Sequence, residues 1–354
     1  MMSAMADTIK LSTSEITLTV NDKGIITSLK NKQGNEQILA SQTSPLLRLK
    51  MFNQEDSESP LSASLTTKKE GKEIKLTFTK ASVIIQVKEK ADYLTMEVTS
   101  VSNNDIELLS WGPIFIVKKE HVASSLGVTY DNDYAVGILS LNLKTGGGVE
   151  IKRRERFGNA ATRSKGGTQL QAYTRDRTRS RTVDTLFSPS VSAATIPGET
   201  VTGSKIALYG VPANSLVDLI GKIEIAEGLP HPTHDNKWLK QSPYATSSKL
   251  IFNFSEKNID NCLDIAEASG ISCVYHDGIF QSWGTFKPKK HLFPNGMKGV
   301  KQCVEKAKAR GLSLGTHSLT NFIHPFDPLV TPIPHKDLQL AGMTQLKVGI
   351  SDDD

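Results

Sequence analysis

Residues 271–323 read ISCVYHDGIFQSWGTFKPKKHLFPNGMKGVKQCVEKAKARGLSLGTHSLTNFI, and the order of elements in this stretch decides the fold. An apolar run, Ile271 to Tyr275, ends in His276, Asp277 and Gly278. A polar loop holding Trp283 follows. A helix is expected from Gly296 to Arg310, with Val300, Val304 and Ala307 on one face and Gly311 as its stop. The next apolar run, Leu312 to Gly315, ends in Thr316 and His317. Upstream, Leu250 to Phe254 reads as a buried strand. Ser255 reads as the cap of a helix carrying Ile259, Leu263 and Ala266, with Asn258 at the capping-box position and Gly270 at the end. Strand, helix, strand, helix, strand implies parallel pairing through crossover connections. In such folds function gathers at the carboxyl ends of the strands. That expectation singles out His276, Asp277 and His317 at strand ends, Trp283 in the loop between, and Asn321, His324 and Asp327 on the loop after the third strand.

Residues 7–212 follow a different rule. Ile16 to Val20, Ile74 to Phe78, Val83 to Val87 and Leu94 to Val98 alternate apolar and polar, and Gly/Asn/Asp clusters separate them. Period-two alternation bounded by turns argues half-buried antiparallel strands, and many such strands without helices argue a sandwich. The expected organisation is a β-sandwich over 1–212, a connector over 213–248 and an α/β domain over 249–354. In the connector, Asn214 to Ala226 reads as a short helix capped by Asn214. Beyond it, proline and glycine around His231, His234, Asp235 and Trp238 argue against regular structure.

Composition sets limits. The net charge of +5 is mild. No apolar run approaches the roughly 18 residues of a membrane span, so no membrane association is expected. The first ten residues, MMSAMADTIK, show neither the basic nor the apolar region of a signal peptide. Cys262, Cys273 and Cys303 are odd in number and form no CxxC pair, so neither a disulfide framework nor a zinc site is indicated. The spacing of His317, His324 and Asp327 fits no standard zinc signature either. No cofactor motif is present: Thr145 to Gly148 lacks the lysine and hydroxyl residue of a phosphate loop. Arg175, Arg177, Arg179 and Arg181 alternate and would share one face of a strand, a solvated edge that uses charge against aggregation or, as the second reading, a strip able to meet a polyanion. The aromatic interleaving of a nucleic-acid surface is missing, so a nucleic-acid partner is not expected.

The run from Phe293 to Lys298 (FPNGMK), preceded by Asp277 and Gly278 and followed by Gly311 to Gly315 (GLSLG), resembles the melibiase-type α-galactosidase clan of (β/α)8 glycoside hydrolases. The resemblance covers about 65 residues, Leu250 to His317. It implies a TIM-type barrel and a sugar site, and a β-sandwich before the barrel is familiar in the larger members. It assigns sugar binding to Asp277, with His276 where the clan carries a second Asp. A barrel of this kind takes about 250 residues, whereas Lys249 to Asp354 is 106 (354 − 249 + 1). Only the opening of a barrel is therefore expected: either the catalytic carboxylates lie beyond Asp354, the first expectation, or the barrel is a degenerate one that does not run the clan's chemistry.

The sequence thus points to an oligo- or polysaccharide partner, acidic if the basic residues Lys287, Lys289, Lys290 and His291 flank the same mouth. A glycoside hydrolase is the first expectation. A polysaccharide lyase, with a histidine or Tyr275 removing a proton, and a non-catalytic glycan-binding protein are the alternatives. A periplasmic or secreted setting suits all three. Nothing in the sequence fixes the oligomeric state.

Overall fold

The computed structural model describes residues 8–69, 71–148, 150–151, 156–157, 159–183, 191–193, 195–281 and 287–316. Trp283, His317, Asn321, His324 and Asp327 lie outside the described residues. The chain divides into two compact units, Met1–His231 and Pro232–Asp354.

The first unit is built of antiparallel sheets. The largest has eight strands, in the order His121–Ala123, Val128–Tyr130, Tyr134–Ser140, Lys205–Pro212, Tyr93–Val101, Ser82–Glu89, Gly71–Thr77 and Ser62–Lys68. A four-stranded sheet joins Ile9–Ser12, Ile16–Val20, Ile25–Asn31 and Ser44–Pro45. A five-stranded one orders Gly146–Gly147, Gly167–Arg175, Ile106–Val117 and Leu47–Met51, with Ala161–Ser164 also on Gly167–Arg175. Alternation decides which face is buried. Ile16, Leu18 and Val20 point inward from one strand, Val83, Ile85 and Val87 from another. All three sheets contribute to one apolar core, which includes Leu18, Leu29, Ile85, Met96, Trp111 and Leu170. One group of polar side chains trapped in this core is paired internally. The Trp111 indole N–H donates to Ser204 Oγ (2.9 Å), which also accepts from Thr174 Oγ1 (2.6 Å).

Among the described residues no helix precedes Ala213. The expected helix then forms at Leu216–Ala226 and buries Leu216, Leu219, Ile220 and Ile223. Its entry differs from expectation: a short 3-10 turn, Ala213–Ser215, leads in, Ser215 stands at the N-cap, and no side chain caps the helix. At its other end Glu227 fastens the helix to the eight-stranded sheet. The Glu227 carboxylate accepts from Tyr93 OH and from Lys205 Nζ, each at 2.8 Å.

The second unit holds the parallel elements. Lys249–Ile251, Cys273–His276 and Ser313–Thr316 form a three-stranded parallel sheet, with Leu250 opposite Val274 and Val274 opposite Leu314. Helices Ile259–Ala268 and Met297–Ala309 are the crossovers. Phe254, Cys262, Leu263, Val274, Phe293, Cys303 and Ala307 form the core between sheet and helices. Gly270 (φ 65°) and Gly311 (φ 69°) end the helices in the left-handed conformation that the sequence pattern foresaw. Ser255 is not the cap. The helix starts later, with Asn258 at the N-cap, and the Asn258 Oδ1 accepts from the Ser255 N–H (2.6 Å) and Oγ (2.9 Å). Across the helix pair, Arg310 contacts Asp264 and Lys306 contacts Asp260; these bonds are solvent-exposed and worth little individually.

The first strand is shorter than the apolar run from Leu250 to Phe254 suggested. Phe252 N–H still reaches Tyr275 O (2.8 Å), but Phe254 then turns into the core beside Phe293. Leu250, Val274 and Leu314 face the helices; Ile251, Tyr275 and Gly315 lie on the opposite face. There Ile251 is 68% exposed, although parallel sheets are as a rule covered on both faces. Among the described residues the parallel part of this unit thus comprises three strands and two crossover helices; the rest of the expected barrel is not seen there.

Candidate functional site

The second parallel strand sets the site. Its pleat sends Val274 and His276 to the helix side, and His276 comes to rest edge-on against the Phe254 ring, with centroids 5.4 Å apart. His276 is only 4% exposed. Its Nδ1 has two neighbours. The Gly278 N–H donates to it at 3.0 Å, and Asp277 Oδ1 lies 3.1 Å away. One nitrogen serves these partners one at a time: a bare Nδ1 accepts from Gly278, and an Nδ1 that carries a proton donates to Asp277. Burial pushes the imidazole below its ordinary 6.5, outweighing the opposing pull of the Asp277 carboxylate, and Lys289 adds to the lowering. The neutral ring therefore prevails at neutral pH. With Nδ1 accepting, the ring proton sits on Nε2.

That Nε2 is buried and has no hydrogen-bond partner, and Thr316 Oγ1 is in the same condition. His276 and Thr316 are register partners at the carboxyl ends of neighbouring strands. Asp277, one residue further, is 73% exposed at its side chain. The described residues on either side of the next loop meet: Gln281 N–H donates to Lys287 O (2.8 Å), Lys289 N–H to Ile279 O (2.9 Å), and Lys289 Nζ to Gly278 O (2.9 Å). The described edge of the site thus consists of an exposed carboxylate, a buried neutral donor, a buried hydroxyl and an ammonium group fixed on the strand-end backbone.

Sequence reasoning missed Glu256. Its carboxylate lies against Gly299, where an added Cβ would come within 1.8 Å of Oε1. It accepts from the Asn295 N–H (3.0 Å) and from Asn295 Nδ2 (2.7 Å). Phe293 is fully buried and Gly296 has φ 59°. The run from Phe293 to Lys298 therefore builds the entry of the helix: an apolar anchor, a left-handed residue at the N-cap, and a gap for a carboxylate near the positive end of the helix. A glycine in the first turn of a helix was the only sequence signal of this arrangement.

Three other candidates are committed to packing. His231 Nδ1 meets Glu224 Oε2 at 3.0 Å. The segment expected to be irregular forms a hairpin, Thr233–His234 with Lys237–Trp238, because Asp235 (φ 50°) and Asn236 (φ 59°) supply the two-residue turn; Trp238 is buried there, with Lys240 over its ring. The arginine strip does not form as one face. Its strand ends at Arg175, which is buried and bonded to Glu107 (2.6 Å), and Lys50 is 3.2 Å from the same carboxylate. Arg179 pairs with Asp105 and lies over Phe52.

Among the described residues no three His, Cys, Asp or Glu side chains converge as a metal site would require. All three cysteines are buried and free, and burial pushes the Cys262 and Cys303 thiols up.

No protein-family model and no curated protein matches the chain. Solved structures resemble it distantly. The α-N-acetylgalactosaminidase NagBb from Bifidobacterium bifidum matches at 9% identity and a TM-score of 0.48, over 88% of this chain and 58% of that one. An α-galactosidase from Lactobacillus brevis matches at 9% identity and a TM-score of 0.38, over 88% and 54%. A polysaccharide lyase, BACCELL_00875, matches at 11% identity and a TM-score of 0.29, over 60% and 34%. The chain thus spans a little over half the length of the first two.

Proposed function

We propose that the protein is carbohydrate-active and belongs to a glycoside hydrolase whose saccharide site lies at the carboxyl ends of the parallel strands. The observation that carries this is the end of the strand Cys273–His276, where an exposed carboxylate, Asp277, stands beside a buried, unpartnered imidazole donor. A carboxylate accepting from hydroxyls and a neutral N–H donating to an oxygen are the complementary halves of polyol recognition. The sequence run shared with the α-galactosidase clan supports the same assignment. Hydrolysis would need two carboxylates about the scissile bond. Asp277 serves here to position the sugar, and the catalytic pair is assigned to further βα units of the same fold. Trp283, His317, Asn321, His324 and Asp327 are proposed to complete the rim. A periplasmic or secreted setting fits a polymeric substrate.

The test is a titration of the protein with oligosaccharides of defined composition, followed by calorimetry. Binding that drops at least tenfold in Asp277→Asn, in a variant that keeps its circular dichroism, is expected; equal binding by the variant refutes the site. The second reading, a polysaccharide lyase, is favoured by Lys289 anchored on Gly278 O and by Tyr275 on the face away from the helices. An ultraviolet-absorbing unsaturated product from a uronic-acid polymer would select it over the hydrolase.

A further inference from the structure

Asn295–Gly296 is the only Asn-Gly step in the chain. In such a step the backbone nitrogen of the glycine attacks the side-chain carbonyl carbon of the asparagine. A C–N bond forms, the glycine N–H gives its proton to solvent, and the amide nitrogen takes up a proton and leaves as ammonia. Water then opens the resulting succinimide at either carbonyl, giving aspartate or isoaspartate. Glycine permits the attack because no Cβ shields its nitrogen. Asn295 is exposed, so water reaches it.

Two features oppose this attack in the folded chain. The Gly296 N–H, which must lose its proton before the nitrogen becomes a nucleophile, donates to Phe293 O at 2.9 Å. The Asn295 side-chain amide donates to Glu256 Oε2 at 2.7 Å, and the Asn295 N–H to Glu256 Oε1 at 3.0 Å. One carboxylate thus grips both the side chain and the backbone of Asn295, and the side chain must leave it to reach the Gly296 nitrogen. Conversion also reverses the character of the contact. Aspartate at 295 would set one carboxylate against another where a donor had met an acceptor. Isoaspartate would add a methylene to the main chain just before Gly296, the N-cap of the helix Met297–Ala309.

We propose that Asn295 is a site of spontaneous deamidation, that Glu256 sets its rate by holding the amide, and that conversion releases the entry of the helix Met297–Ala309. Loss of ammonia is irreversible, so the step runs in one direction as the protein ages.

The experiment incubates the whole chain in mildly alkaline buffer and samples it at intervals. After digestion, mass spectrometry with chromatographic separation of the aspartyl and isoaspartyl forms follows the peptide that spans Asn295. The same chain unfolded in guanidinium chloride supplies the unrestrained rate. The folded chain is expected to convert more slowly than the unfolded one. Glu256→Ala is expected to convert about fivefold faster than the unaltered chain, the factor set by losing a hydrogen bond of ordinary strength. Glu256→Gln, whose side-chain carbonyl still accepts, should fall between them, and it serves as the comparison if Glu256→Ala frays the whole helix. Asn295→Asp mimics one product and should raise amide hydrogen exchange in residues 297–309. Adding Glu256→Gln to it should restore protection, because the new amide donates to the new carboxylate. Equal rates in the folded and unfolded chain, or no acceleration in either Glu256 variant, would overturn the control assigned to Glu256. Slower conversion without the carboxylate would show that Glu256 assists the reaction instead. Unchanged exchange in both Asn295→Asp and the deamidated chain would overturn the release of the helix.

Discussion

Gly299→Ala is the most informative single change in the second unit, because two opposing effects meet at one atom. In a helix interior, alanine is favoured over glycine by about 1 kcal/mol. Here the new methyl would sit 1.8 Å from Glu256 Oε1 and 2.2 Å from its Cδ, so the carboxylate must leave. It would give up two bonds from Asn295, at 3.0 and 2.7 Å. Hydrogen bonds to a charged group contribute about 1.5–3 kcal/mol when buried; these are solvent-accessible, so about 1 kcal/mol each is the appropriate scale. The favourable position near the helix N-terminus adds about 0.3–1 kcal/mol. The sum, about 2–3 kcal/mol, exceeds the gain, so Gly299→Ala should destabilise this helix by about 1–2 kcal/mol. In a Glu256→Ala background nothing is displaced, and the same change should stabilise by about 1 kcal/mol. Because a two-unit chain need not unfold in one step, the quantity to follow is amide hydrogen exchange in peptides covering residues 297–309. A sign reversal between the two backgrounds, with a coupling of about 2–3 kcal/mol, is expected. Effects that add within about 0.5 kcal/mol would show that Glu256 and Gly299 are independent, and the structural account of the run from Phe293 to Lys298 would be refuted.

Other consequences are as direct. His276 has a folded pKa below 6.5, so as pH falls below 6.5 the unfolded chain binds the proton first. The second unit should lose stability from there down to the folded pKa and no further, and amide exchange at residues 273–276 should lose that pH dependence in His276→Phe. For Glu227, burial alone raises the carboxyl, but the bonds from Lys205 and Tyr93 prevail and hold it below the ordinary 4.5. The stabilisation is therefore present above about pH 4.5 and lost as pH drops through the folded value; acid titration of Glu227→Gln should lack that component, and an unchanged profile would contradict it. Arg175→Ala leaves a part-buried Glu107 with Lys50 as its remaining cation. Truncating one member of a fully buried pair costs about 3–5 kcal/mol; with Glu107 only part-buried, a loss of about 2 kcal/mol is expected in urea unfolding of the first unit, and a loss under about 1 would mean that Lys50 compensates.

How much of this the sequence made legible depends on the range of the forces involved. Alternation at Ile16 to Val20 and Val83 to Val87 named strands, since burial of a pleated face is a local pattern. Gly270 and Gly311 named helix ends, since a positive φ is a property of one residue. Sheet order in the first unit was not legible: Lys205–Pro212 pairs with Tyr134–Ser140 and Tyr93–Val101, strands distant in sequence. The hairpin at Asp235 and Asn236 was hidden beneath its flanking prolines. The pairing of Arg175 with Glu107 and of Arg179 with Asp105 was not legible, because both acids lie far upstream. At the site, a strand ending in His276 and Asp277 could be read directly. Which ring nitrogen lacks a partner could not, because that follows from the backbone turn at Gly278. Glu256 escaped notice because it meets Asn295 across 39 positions.

The buried indole of Trp111 has a practical consequence. It is the only tryptophan of residues 1–231, and Trp238 and Trp283 belong to the second unit. Trp111 is fully shielded, with its N–H on Ser204, so its emission should be blue-shifted and respond to melting of the first unit alone. Replacing it with phenylalanine would leave a molecule whose tryptophan fluorescence originates wholly in the second unit. The two halves of the chain thus carry separate optical labels, and ligand binding at the parallel strands can be followed without interference from the antiparallel sheets.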